Sequence, residues 1–223
     1  MEIADNILKS YLQNVYFITG TAYAGKSTMV KMLAERFGMI ACGENYHSAA
    51  SDKIATPRFQ PNICYFQTMS GWQEFISRTP EAYAKWIKDT ASEAAQFEIA
   101  ELLRLTASGK KIVVDTNIPL PILKEISDYG RVAVMLSPQS ESVNRFFERA
   151  DEEKLFLLEQ IKKSPDPDKA YENFKNCIAE VNSVERYNEY ANSGFFTYLR
   201  KDYENDTREE VLNTLALHFG FIK

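Results

Sequence analysis

Gly20-Thr21-Ala22-Tyr23-Ala24-Gly25-Lys26-Ser27 satisfies the spacing G-x-x-x-x-G-K-[ST], and its flanks decide how it folds. Upstream, Val15-Tyr-Phe-Ile-Thr19 is a β-branched and aromatic run that reads as a buried strand. Downstream, Lys26 to Phe37 places Met29, Leu33 and Phe37 at helical spacing before Gly38 stops the helix. A glycine-bounded loop between strand and helix lets successive backbone N–H groups turn inward, and the helix adds the positive end of its dipole. The expected ligand is therefore a polyphosphate. On this reading Gly20, Thr21, Ala22, Tyr23, Ala24 and Gly25 cradle the phosphates of ATP, and Lys26 supplies a fixed positive charge between the β and γ groups. The Ser27 hydroxyl ligates Mg²⁺, a cation that prefers hard oxygens, and Thr28 supports the α-phosphate.

Working outward, Met39-Ile-Ala-Cys42 reads as a second short strand, and Gly43 to Met69 shows Pro, Gln and aromatic residues without a period. Thr79-Pro80 has the form of an N-cap followed by proline at the first helical position. It opens a helix reaching about Thr106, with Trp86, Ala94, Phe97 and Leu105 as core contacts and Gly109 beyond its end. Lys111-Ile-Val-Val114 and Arg131-Val-Ala-Val-Met-Leu136 are apolar enough for strands covered on both faces. Residues 140–191 read as a helical hairpin broken at Pro165-Asp166-Pro167. Gly194 to Leu199 supplies a last strand, and Thr207-Arg-Glu-Glu210 has the form of a capping box opening a final helix. Strand and helix alternate throughout, so the expected class is α/β, with a parallel sheet covered by helices on both faces in one domain spanning 1–223.

The bulk composition narrows the partners. With 26 Lys and Arg against 31 Asp and Glu the formal charge is -5, so no general basic field draws nucleic acid or anionic lipid. Cys42, Cys64 and Cys177 are three widely spaced cysteines with neither zinc-site nor disulfide-scaffold spacing. Reduced thiols, the lack of an apolar targeting run near Met1, and the lack of a membrane-length apolar stretch together imply a soluble cytoplasmic protein.

Outside the loop, Asp115 closes an apolar strand, where a carboxylate can hold Mg²⁺ or take a proton; a turn aspartate is the ordinary alternative. Arg58 and Arg78 flank the irregular segment and can clamp an anionic acceptor, or simply make surface pairs. His47 can titrate near neutrality or serve as an incidental polar loop residue. Phe59, Tyr65, Phe66 and Trp72 offer rings for stacking on an acceptor, against the commoner role of core packing.

The order of motifs resembles the P-loop nucleoside and nucleotide kinase superfamily, which includes shikimate- and gluconate-kinase-like enzymes. The resemblance spans nearly the whole chain and implies the three-layer P-loop NTPase fold, with a five-stranded parallel sheet of order 2-3-1-4-5. It also implies an acceptor-binding region after the second strand, here residues 44–78, and a lid carrying arginines, here near Asn144 to Asp151 within the hairpin. Arg145 and Arg149, four residues apart, would share one lid face toward the transferring phosphoryl group or pair with neighbouring glutamates. Glu44 stands where related kinases place an acidic residue against the acceptor hydroxyl, and Arg200 through Thr207 corresponds to the loop over the adenine. Asp115-Thr-Asn-Ile-Pro119 departs from the Asp-Gly-Phe-Pro-Arg segment of nucleoside monophosphate kinases, so the subfamily stays open. Absence of Asn-Lys-x-Asp and Leu-Ser-Gly-Gly argues against GTPases and transporter ATPases, leaving adenine as the base. The resemblance implies an ATP- and Mg²⁺-dependent kinase of an unidentified small-molecule acceptor. The alternative is an ATP-dependent switch that docks a partner on its helical hairpin.

Overall fold

The computed structural model describes residues 3–138, 140–141, 146, 152–201 and 204–223. Its centre is a five-stranded, all-parallel sheet built from β1 (Val15–Gly20), β2 (Ile40–Cys42), β3 (Ile112–Asp115), β4 (Val132–Leu136) and β5 (Phe196–Leu199), in the order β2-β3-β1-β4-β5. This is the expected topology. β1 pairs with β3 from Val15↔Ile112 to Ile18↔Asp115, and with β4 from Phe17↔Val132 to Gly20↔Met135. Every residue of β3 and β4 is buried, which is why both read as unbroken apolar runs.

The helices are α1 (Asp5–Tyr11), α2 (Lys26–Phe37), α3 (Ser48–Ile54), α4 (Tyr65–Thr68), α5 (Trp72–Ile76), α6 (Pro80–Thr106), α7 (Leu120–Ile126), α8 (Glu152–Lys162), α9 (Pro167–Val181), α10 (Val184–Ala191) and α11 (Arg208–His218). On one face of the sheet, α2 and α11 bury Met29, Val30, Leu33, Val211, Leu212 and Leu215 against Ile18, Val113 and Ala133. On the other, Ala95 and Leu102 of α6, Leu120 and Leu123 of α7, and Tyr190 of α10 close over Phe17, Val114 and Val134. A further core lies away from the sheet, where Phe75, Ile76, Tyr83, Leu157, Phe174 and Ile178 join α5, the start of α6, α8 and α9 into a helical lobe.

Several expectations need correcting. The second helical stretch, expected to run from Asp168 to about Ala191, is two helices: α9 ends at Val181, and Ser183 starts α10 by accepting a hydrogen bond from the Arg186 N–H through its side chain. The capping box at Thr207 does not form, because Thr207 makes no side-chain cap bond. Asp206 instead accepts from the backbone and guanidinium of Arg208. The aperiodic segment Gly43 to Met69 holds two short helices, α3 and α4, and α5 follows it, each too brief to show a period. In α6, begun as expected by the Thr79 side chain accepting from the Ala82 N–H, Phe97 is only half-buried while its neighbour Glu98 is buried. Cys42, Cys64 and Cys177 are all free thiols in buried positions.

Candidate active site

The phosphate loop lies beyond the carboxyl end of β1, the sheet's central strand, where open α/β sheets bind ligands. Its two glycines hold backbone conformations that L side chains rarely adopt. Gly20 has φ 129°, and a Cβ there would lie 1.9 Å from the Met135 carbonyl oxygen on β4. Gly25 caps α2 with φ 92°, in left-handed territory that costs an L side chain energy. Between them the loop is tied down from several sides. The Thr21 N–H donates to the Met135 carbonyl at 3.0 Å, the Ser137 N–H to Thr21 Oγ1 at 2.8 Å, and the Ser137 hydroxyl to the Ala22 carbonyl at 2.6 Å. Arg200, just past β5, donates to the Tyr23 carbonyl at 3.3 Å. Tyr23 itself has φ 62°, an uncommon conformation for a bulky residue in a loop so restrained. Lys26 Nζ folds back to donate to the Thr21 carbonyl at 3.1 Å, which keeps the ammonium over the loop.

Ser27, at the start of α2, donates its hydroxyl to Asp115 Oδ2 at 2.6 Å, joining the loop to the end of β3. Asp115 is 2% exposed and its Oδ1 is buried with no hydrogen-bond partner. Burial pushes its pKa up, and the nearby Lys26 charge and the Ser27 bond pull the other way. An orphaned buried carboxylate oxygen beside a hydroxyl leaves a desolvation cost of about 1–3 kcal/mol uncompensated, which a hard cation would offset. The donor set therefore fits a hard cation such as Mg²⁺, which Ser27 and Asp115 would hold. Among the described residues no group of three or more His, Cys, Asp or Glu side chains could hold a metal by itself.

The flank of the loop away from Asp115 carries a small cleft of about 100 Å³, lined by Gly25, Thr28, Met29, Met135, Arg200, Arg208 and Val211. Thr28 and Arg200 both line this cleft.

On the other side of Asp115, two loops approach each other. After β2, Glu44 sits exposed on a tight turn in which Asn45 takes φ 59°. After β3, Asn117 Nδ2 donates to Glu44 Oε1 at 3.4 Å. Thr116 turns inward, donating to the buried Glu98 carboxylate at 2.6 Å and accepting from the Ile118 N–H at 3.0 Å. Burial pushes Glu98 up to about 7, against the lowering effect of the bonds from Thr116 and the Asn117 backbone; the charges of Asp115 and Glu44 raise it further. His47 is buried with Nδ1 unpartnered, and burial lowers its pKa.

The structure thus brings Lys26, Ser27, Asp115 and Glu44 to one end of the sheet. Arg78 instead lies in the helical lobe, its guanidinium stacked 3.9 Å from the Tyr65 ring and 5.3 Å from that of Trp86. Arg58 lies exposed over the Phe59 ring. Of the candidate stacking rings, Tyr65, Phe66 and Trp72 pack among Phe75 and Trp86, whereas Phe59 is 68% exposed. Arg145 and Arg149 lie outside the described residues. Sequence reasoning missed Glu98, hidden in the long polar-looking run of α6, and Ser137, whose only signal is its position directly after an apolar strand.

No family model matches the sequence, and no curated protein is similar to it. Among solved structures, dephospho-CoA kinase from Campylobacter jejuni superposes with a TM-score of 0.50 over 94% of this chain and 99% of that one. The chain has the three-layer P-loop NTPase fold. Sequence identity in that comparison is 16%, so the likeness extends to architecture and not to the acceptor. Among the described residues no helix is long and apolar enough to cross a membrane.

Proposed function

We propose that this chain is an ATP- and Mg²⁺-dependent kinase that transfers the γ-phosphoryl group to a hydroxyl or phosphate of a small molecule. The observation that carries the reading is the 2.6 Å bond joining Ser27 at the phosphate loop to Asp115, whose other oxygen is buried and unpaired. Mg²⁺ bound there would supply charge neutralisation to the donor's phosphate oxygens. The loop amides bind and orient the triphosphate, and Lys26 exchanges its bond to the Thr21 carbonyl for one to phosphate. The cleft between Thr28, Met29, Arg200 and Arg208 takes the adenine side of the nucleotide. The acceptor occupies the space flanked by Asp115, Glu44 and Asn117, with exposed Glu44 the residue placed to accept its proton. Arg58, exposed beside the Phe59 ring, binds a more distant part of an extended acceptor. Catalysis is then chiefly positioning and electrostatic stabilisation. The partners are ATP and that acceptor, with no nucleic acid or membrane, and the compartment is the cytoplasm.

The test is ADP release from Mg-ATP by wild type and Lys26→Ala, against nucleosides, nucleoside monophosphates, dephospho-CoA, sugars, shikimate and aminoglycoside-like alcohols, with an acceptor-free control. Acceptor-dependent release that falls by about 100-fold or more in the variant supports the kinase. Tight Mg-ATP binding without acceptor-dependent turnover would overturn it and favour a nucleotide switch.

A further inference from the structure

Glu98 is the one acidic side chain of α6 among the buried residues, and it is 3% exposed. A carboxylate there is expensive to desolvate, and an apolar residue of similar size would fill the space more cheaply. Its surroundings show what the cost obtains. Through its side chain, Glu98 accepts from the Thr116 hydroxyl at 2.6 Å, with the Asn117 backbone N–H also favouring its charged form, and Thr116 in turn accepts from the Ile118 N–H at 3.0 Å, which fixes the first turn of chain after Asp115. Through its main chain, the same residue accepts the Tyr46 hydroxyl at 3.0 Å, which anchors the Gly43–His47 turn that presents Glu44. That turn is closed by the Tyr46 N–H donating to the Gly43 carbonyl and the Ser48 N–H to the Asn45 carbonyl. Asn117 and Glu44, the two groups so placed, then meet at 3.4 Å. Two loops from two different strands are thereby registered to one residue of a helix that is 27 residues long.

We infer that Glu98 is a positioning residue that clamps the β2 and β3 loops together and so sets the distance of Glu44 from Asp115 on the acceptor side of the site. Its catalytic consequence rests on the kinase reading, whereas the clamp itself can be tested without any acceptor.

Amide hydrogen exchange on the full chain, with Mg-ATP, reads the clamp directly. In Glu98→Ala, exchange at Asn117 and Ile118 should accelerate at least tenfold and the Asn117 side-chain amide resonance should move. Thr116, whose N–H is held by the Ile18 carbonyl, and the amides of Gly20 to Thr28 should keep their protection. Glu98→Gln retains an acceptor for Asn117 and a polar partner for Thr116, and should restore protection to within about threefold of wild type. Should Glu98→Ala fail to fold, Tyr46→Phe removes a single hydroxyl and should loosen Tyr46 and Ser48 in the same way. Unchanged exchange at Asn117 and Ile118, or acceleration shared equally by Thr116 and the phosphate loop, would overturn the clamp. With any acceptor that supports ADP release, Glu98→Ala should raise the acceptor KM at least tenfold and the ATP KM by less than threefold. Equal changes in both would overturn the acceptor-side assignment. Loss of exchange protection with no acceptor found would leave the clamp standing and remove the kinase reading.

Discussion

The phosphate loop and the helical lobe are built on opposite principles. In the loop, geometry is set by backbone: Gly20 is pressed against the Met135 carbonyl, Gly25 sits in left-handed space, and Ser137 and Arg200 bond main-chain carbonyls. In the lobe, geometry is set by side-chain volume, with Phe75 in ring contact with Tyr83, Trp86 and Phe174 at centroid distances of 5.4–6.0 Å. Backbone-determined sites tolerate almost no substitution at a few positions, whereas aromatic cores tolerate many substitutions of conserved volume. The lesson is that the phosphate loop is constrained locally and the helical lobe through packing between elements distant in sequence.

The sharpest way to break that contrast is Phe174→Ala, which empties the centre of the lobe at a residue 1% exposed. It should cost about 3–5 kcal/mol in urea unfolding. Measured below the unfolding midpoint, Mg-ATP affinity should stay within twofold; a large loss would show that the lobe shapes the donor site after all. Gly20→Ala tests the other region. The overlap with Met135 and the φ of 129° should cost about 3 kcal/mol and weaken Mg-ATP binding by more than tenfold.

Between the two regions stands Glu98, whose folded-state pKa of about 7 exceeds its ordinary value of 4.5. The folded protein holds this proton more tightly than the unfolded chain. The stabilisation is therefore complete below about pH 4.5 and is lost as pH rises through about 7. Relative to Glu98→Gln, wild type without nucleotide should lose on the order of 2–3 kcal/mol between pH 5 and 8 by chemical denaturation. A pH-independent difference would place the carboxylate in a wetter setting. The smallest effects separate two helix starts: Ser183→Ala removes a cap bond and should cost about 1 kcal/mol, whereas Thr207→Ala should fall within about 0.5 kcal/mol, since Thr207 caps nothing.

How much of this was legible in the sequence follows from the same contrast. The strands, the phosphate loop and the extent of α6 were readable because their signals are local: apolar runs, glycine spacing, and Thr79-Pro80; the order of the strands came only from the family resemblance. The Thr207 box misled because its residue types matched while the backbone at Thr207 takes φ -96° and ψ 8°, away from the extended form a cap requires. The break at Asn182-Ser183 carried no proline or glycine, so the pattern ran on through it. Glu98, Ser137 and Asp115 act through partners 18, 116 and 88 residues away, which the residue pattern along the chain does not reveal.

The buried cysteines have a practical consequence. Cys42 and Cys177 are pushed to about 11 by burial, and Cys64 is also raised, so none presents a thiolate to solvent at neutral pH. A cysteine introduced at exposed Lys169 on α9 or exposed Lys31 on α2 would react with a maleimide dye far faster than the native three. A donor and acceptor fluorophore on those positions would turn the unaltered native background into a ruler between lobe and loop, readable as Mg-ATP is added.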